Sequence, residues 1–245
     1  MDLIKNLIVL SSLLMVSLAW SETPSYICHL SISAPTGEGS LCNAVHIGQG
    51  RLLSASHCFP NGQKIVSQGI ILASCGAEEF MEFTNLKNSN SYQQGGFNED
   101  ISLLEFSSLI KADSVTPTNY PSMYIEGGQL RNGVECEVLA LRGNYPSMNL
   151  KRIKVDKSMD LKVMNNVAGP AQILMQNKSG APILEGRNVL EGDSGGALVC
   201  RYSKFAREEL VGVVMSYGRA RDTREIRYNS FSPVFGPESK RLLNN

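Results

Sequence analysis

The chain has 245 residues, 42% of them hydrophobic and 19% charged, which supplies the apolar material for one large domain or two small ones and excludes a disordered chain. Its 23 Lys and Arg balance 23 Asp and Glu, so there is no excess positive field to hold a polyphosphate or an anionic membrane. Nucleic acid is not expected as a partner.

Residues 1–21 read as a signal peptide. Lys5 precedes an apolar run from Leu7 to Trp20, and Ala19-Trp20-Ser21 places small residues where a signal peptidase cuts, so cleavage after Ser21 is expected. The run is shorter than the about 20 apolar residues that span a bilayer, and Ser11, Ser12 and Ser17 interrupt it, so no stable membrane anchor should remain. Beyond it lie six cysteines, Cys28, Cys42, Cys58, Cys75, Cys136 and Cys200, an even number suited to disulfides in an extracellular or periplasmic space. Spacing alone leaves their pairing open. With no C-x-x-C pair and only three histidines, His29, His46 and His57, neither a metal nor a cofactor is expected.

From residue 22 onward, short apolar or alternating stretches follow one another at 42–47, 64–72, 101–106, 134–141, 171–175, 197–200 and 210–215. Turn residues punctuate them, among them Pro60-Asn61-Gly62, Gly127-Gly128 and Arg142-Gly143-Asn144. No strong helical period fills the gaps, which favours an all-β sandwich or barrels over βαβ units. The stretch 107–130, with Pro117, Pro121 and a Gly-Gly pair, is the best connection between two β halves. Residues 151–162 alternate charged and apolar side chains, as a solvated strand face does, and 238–243 suit a short terminal helix.

Gly192-Asp193-Ser194-Gly195-Gly196 is the most informative segment. An acyl-transfer nucleophile needs an exposed hydroxyl beside free backbone N–H groups that hold the oxyanion, and a glycine-rich turn provides both. Read as G-x-S-x-G alone, it fits an α/β-hydrolase equally well. That reading needs a histidine after the serine, and none follows Ser194. A subtilisin order needs a carboxylate before the histidine, but the only aspartate before His57 is Asp2, inside the signal, and Glu22 and Glu38 are poor substitutes. The order histidine, aspartate, serine is filled by His57, Asp100 and Ser194. His57 lies in Ser54-Ala55-Ser56-His57-Cys58, and Asp100 opens the run Ile101-Ser102-Leu103-Leu104; Asp113 and Glu99 are reserve carboxylates.

Those three segments resemble the signature segments of the trypsin and chymotrypsin-like serine proteases, and the resemblance spans most of the mature chain. It implies two perpendicular six-stranded antiparallel β-barrels with a short C-terminal helix: a protease domain over 22–245, with one barrel at about 26–115, a linker at about 116–130 and a second barrel at about 131–235. His57 and Asp100 would come from the first barrel and Ser194 from the second. It also implies a secreted, monomeric endopeptidase acting on protein or peptide substrates, with the N–H groups of Gly192 and Ser194 as oxyanion hole. Disulfides Cys42–Cys58 and Cys136–Cys200 follow from the resemblance, which leaves Cys28 with Cys75.

By the same resemblance Asn188 lies on the floor of the specificity pocket, where an aspartate would select Arg or Lys. Val189 and Glu191, the strand Ser216-Tyr217-Gly218, and Asn229 across the pocket complete the substrate-binding set, and selection for basic side chains should be weak. Two departures stand out. Leu190 occupies a position where the family often has a bracing cysteine, and no Ile-Val-Gly-Gly follows a basic residue near the mature start, where Thr23-Pro24-Ser25-Tyr26-Ile27-Cys28 occurs. Asp193 therefore lacks the N-terminus that normally orders the oxyanion hole, and another cation or hydrogen-bond network is expected to hold it. The rival expectations are a latent or inactive protease-fold binding protein, or a secreted esterase with the same triad. Asn177-Lys178-Ser179 is a glycosylation sequon.

Overall fold

The structure, a computed structural model, describes residues 24–33, 39–59, 70–76, 81–88, 99–106, 110–127, 129–143, 147–203 and 206–244. The expected signal peptide lies outside the described residues, as does most of the stretch expected at 64–72.

Six strands form the first barrel: β1 Ile27–Ser33, β2 Gly39–His46, β3 Arg51–Ser54, β4 Ile70–Cys75, β5 Met81–Asn88 and β6 Ser102–Phe106. They close in the order β1-β2-β3-β6-β5-β4. Side chains of successive strand residues point to opposite faces, and both faces are buried over much of β1, β2, β3 and β6. Cys28, Leu30, Ala44, Leu52 and Leu104 pack within the barrel, while their neighbours Ile27, Val45, Leu53 and Leu103 join the core shared with the second half. That double burial explains why these strands read as continuous apolar runs rather than clean alternation. Disulfides join Cys28 to Cys75 and Cys42 to Cys58 in this half.

The connection carries the short strands β7 Thr116–Pro117, β8 Ile125–Glu126 and β9 Gln129–Leu130. The second half comprises β10 Glu135–Arg142, β11 Asn149–Val155, β12 Met159–Asn166, β13 Gly169–Asn177, β14 Ala197–Arg201, β15 Glu209–Arg219 and β16 Ile226–Pro233. These curl in the order β11-β10-β14-β15-β16-β13-β12, with β7 added in parallel to β15. The single strand expected over 151–162 is bent at Asp156–Ser158, so that β11 pairs with β10 and β12 with β13. The bend carries one stretch of chain from one end of the curled sheet to the other. Cys136 and Cys200 face each other across β10 and β14 and are bonded.

One helix, α1 Pro237–Asn244, closes the chain. The carboxylate of Glu99 accepts from the backbone N–H groups of Glu238 (2.9 Å) and Ser239 (2.8 Å) and from Ser239 Oγ (2.7 Å). A remote side chain thus satisfies the orphan donors of the first helical turn. Burial raises the Glu99 carboxyl above its ordinary range against those hydrogen bonds. A Cβ on Gly236 would sit 2.4 Å from this carboxylate, so a larger residue there would push the carboxylate out of its cap. The consequence for the site is positional, because Glu99 precedes Asp100.

Candidate active site

His57 sits in a 3-10 turn, Ser56–Cys58, directly after β3. Cys58 ties the turn to β2 through Cys42, and the buried Ser56 donates from Oγ to the Ile101 carbonyl (2.5 Å) at the start of β6. Asp100 lies just before that strand. Its Oδ1 accepts the His57 backbone N–H (2.8 Å), its Oδ2 accepts Nδ1–H (2.5 Å), and its own N–H donates to Ser232 Oγ (2.8 Å) on β16. The Asp100 side chain is 4% exposed and that of His57 34%. The carboxylate is shielded from water while the imidazole reaches it.

Ser194 Oγ is 2.8 Å from His57 Nε2. With the ring proton held on Nδ1 by Asp100, Nε2 is free to accept the hydroxyl proton, which is the geometry of a nucleophile, a base and an orienting carboxylate. The reserve carboxylates are elsewhere: Glu99 caps α1, and Asp113 accepts from Ser25 Oγ (2.9 Å) while its backbone carbonyl meets His46 Nδ1 (2.7 Å).

The loop around Ser194 approaches the first barrel closely. A Cβ on Gly195 would lie 1.8 Å from the Asn43 carbonyl oxygen, and Gly195 has φ +82°. Only glycine fits that position. The Gly195 N–H donates to the Val214 carbonyl (2.9 Å) and the Val214 N–H to the Gly196 carbonyl (2.8 Å), which sets the loop against β15. Among the described residues, the N–H groups of Gly192 and Ser194 take part in no other hydrogen bond. They flank the hydroxyl as two available donors.

Asp193 is completely buried, and its partner is Arg142 at the end of β10. Arg142 donates from Nε to Oδ1 (2.6 Å) and from Nη2 to Oδ2, a bidentate pair, and Leu190 N–H adds a bond to Oδ2 (2.9 Å). The hydrogen bond to Asp193 raises the Arg142 guanidinium above its ordinary value, against the opposing effect of burial. Sequence reasoning asked for a cation here and did not find Arg142, because 51 residues separate the two and Arg142 stands in a turn-like Arg-Gly-Asn run.

The expected substrate-binding residues fall into two groups. Asn188 and Val189 are buried in the segment leading to Ser194, whereas Leu190 and Glu191 are exposed. Ser216, Tyr217 and Gly218 lie near the end of β15 and pair with Ser230, Asn229 and Tyr228 of β16. Asn229 is fully buried, and its Oδ1 accepts the Val189 N–H (3.1 Å), which makes it a brace between β16 and the nucleophile segment. Tyr228 was missed: its ring lies so close over Gly218 that a Cβ there would be 2.1 Å from it. Only the strand register, which no short motif records, brings these two together.

The sequence model of the family described as Trypsin matches residues 21–235. None of the curated proteins compared with this sequence matches it. Among solved structures, the chain is similar to the active form of the Rv3671c protease from M. tuberculosis, with a TM-score of 0.54 over 94% of this chain and 85% of that one. The two share 14% identity, so this likeness carries the fold alone, the paired curled sheets of a chymotrypsin-like double barrel. With the family's sequence pattern running from the start of the first barrel through the last strand of the second, the chain belongs to the trypsin family.

Proposed function

We propose that this protein is a secreted serine endopeptidase. The observation that carries the reading is the continuous hydrogen-bonded line from Ser194 Oγ through His57 to Asp100, at 2.8 Å and 2.5 Å. Ser194 Oγ attacks the scissile carbonyl carbon as its proton passes to His57 Nε2, and Asp100 stabilises the imidazolium so formed. The carbonyl oxygen, now an oxyanion, accepts from the N–H groups of Gly192 and Ser194. The C–N bond then breaks as Nε2 returns the proton to the departing amine, leaving an acyl group on Ser194. Water, deprotonated by His57, releases the acyl group and restores the hydroxyl.

The bidentate Arg142–Asp193 pair supports activity without a newly exposed N-terminus, because the carboxylate that orders the loop already has a cationic partner. Three disulfides support passage through an oxidising compartment. Purified protein should hydrolyse casein, and His57→Ala and Asp100→Ala should abolish that hydrolysis; cleavage of small esters with none of casein would contradict an endopeptidase.

For the residue before the scissile bond, neutral Asn188 offers no charge for an Arg or Lys side chain, and the Tyr228 ring over Gly218 narrows the space between the strand ends. Small uncharged residues such as alanine are the expected preference. A peptide series varied at that residue checks this, with Tyr228→Ala expected to raise kcat/KM for a phenylalanine substrate about tenfold relative to alanine; a large preference for Arg or Lys would sink it.

A further inference from the structure

Asn43 stands on β2 directly after Cys42 and is completely buried. Its backbone N–H donates to the Ser194 carbonyl (2.7 Å), and its backbone carbonyl accepts from Ser54 Oγ (2.7 Å). Its side-chain Nδ2 donates to the Gly192 carbonyl (2.8 Å) and at longer range to the Leu141 carbonyl (3.3 Å), while Oδ1 accepts the Leu141 N–H (2.7 Å). One residue of the first barrel therefore grips the carbonyls on both sides of the Asp193–Ser194 pair. It also clamps the end of β10, from which Arg142 reaches Asp193.

Gly192 is where such a grip matters. It has φ +91°, a conformation that favours glycine, and a Cβ there would meet nothing within 4 Å, so no side chain of its own restrains the turn. Glycine has the widest backbone freedom, and turning the Glu191–Gly192 peptide would swing its N–H away from the position an oxyanion occupies. The Asn43 amide holds the Gly192 carbonyl and with it the following peptide plane, which fixes one side of Gly192 and so limits how far its N–H can turn.

We propose that Asn43 is a positioning residue that sets the oxyanion site by fixing Gly192. This deepens the proposed function and rests on Ser194 being the nucleophile. Asn43 touches no reacting atom. Its effect falls on the stabilisation of the tetrahedral intermediate and not on substrate binding. Loss of a direct oxyanion donor costs about 10²–10³ in kcat, and loss of a group that only steadies such a donor costs less, about tenfold.

The test compares wild type with Asn43→Ala, and with Asn43→Ser as a second variant that keeps a polar atom in the buried site but is too short to span from Gly192 to Leu141. Active sites are first counted by stoichiometric acylation, so that misfolded protein does not enter the rates. On a peptide p-nitroanilide, kcat per titrated site should fall about tenfold in the variants with KM within about twofold. Affinity for a peptide boronate of the same sequence, whose tetrahedral adduct occupies the oxyanion site, should fall by the same factor as kcat/KM. Wild type that is never acylated overturns the reading of the site and this inference with it. Acylated wild type beside a variant that keeps kcat within about twofold, or loses it with no loss of boronate affinity, overturns the inference alone.

Discussion

The two regions that meet at Ser194 Oγ are held in place by different means. On the first-barrel side, the turn bearing His57 is stapled by Cys42–Cys58, anchored by Ser56 to Ile101, and set beside β3 and β6, which pair with each other. Its restraints are a covalent bridge and the pairing of neighbouring strands. On the other side, residues 188–196 form no strand or helix, and polar groups from distant positions hold the loop: Arg142 on Asp193, Asn43 on Gly192, and Asn229 on Val189. His57, the proposed general base, thus rests on scaffold, whereas Ser194 and the proposed oxyanion donors rest on a network of buried hydrogen bonds. Such a network specifies one geometry where its members are satisfied, as Asn43 and Asp193 are, whereas the buried Nδ2 of Asn229 has no partner among the described residues.

The sharpest break in both regions is removal of the reacting groups themselves. Ser194→Ala and His57→Ala should each lower kcat on the order of 10⁶-fold, measured by peptide hydrolysis, with little change in Tm. Next comes the remote anchor of the loop. Arg142→Gln leaves the buried Asp193 carboxylate without its cation, and should cost about 10²–10³ in kcat together with about 3 kcal/mol in urea denaturation. Adding Asp193→Asn should return part of the stability and little of the activity, which separates the cost of a stranded charge from the cost of a disordered loop.

On the scaffold side the order of effects should reverse. Replacing both Cys42 and Cys58 by serine opens a loop with a sequence separation of 16 and should cost about 3 kcal/mol by denaturation. The protein that remains folded should keep most of its kcat, since strand pairing and Asp100 still place the imidazole. The smallest effect concerns pH. Burial pushes the His29 imidazole below its ordinary value, so the unfolded chain binds that proton more tightly than the folded one. The stability His29 contributes is full above the ordinary imidazole value, declines as pH falls below it, and is gone below the lowered folded value. His29→Gln should therefore flatten the change in urea midpoint between about pH 7 and about pH 5.

The same contrast decides what was legible in the sequence. Ser54-Ala55-Ser56-His57-Cys58 and Gly192-Asp193-Ser194-Gly195-Gly196 carry their chemistry in adjacent residues, and chain order alone eliminated the competing hydrolase arrangements. Strand stretches such as 134–141 and 197–200 lie close to β10 and β14 because apolar runs bounded by turn residues mark them locally. β16 was not recognised, because Ser230 and Ser232 break its apolar pattern while being buried by hydrogen bonds to Ser216 and Asp100. Arg142, Asn43 and Tyr228 acquire their roles from register and from the approach of one barrel to the other. No window of neighbouring residues holds that information, although the unpartnered Asp193 did signal that a cation was missing.

The central claim is that the nucleophile loop is ordered by Arg142 and ready to react without N-terminal trimming. The direct measurement is fluorophosphonate labelling with peptide mapping, on wild type whose N-terminus has been sequenced and found to begin at residue 22, beside Arg142→Gln. Rapid modification of Ser194 in wild type, slowed by orders of magnitude in the variant, is the predicted result. Folded wild type that reacts only after further N-terminal cleavage, or an Arg142→Gln protein that reacts as fast as wild type, would contradict it.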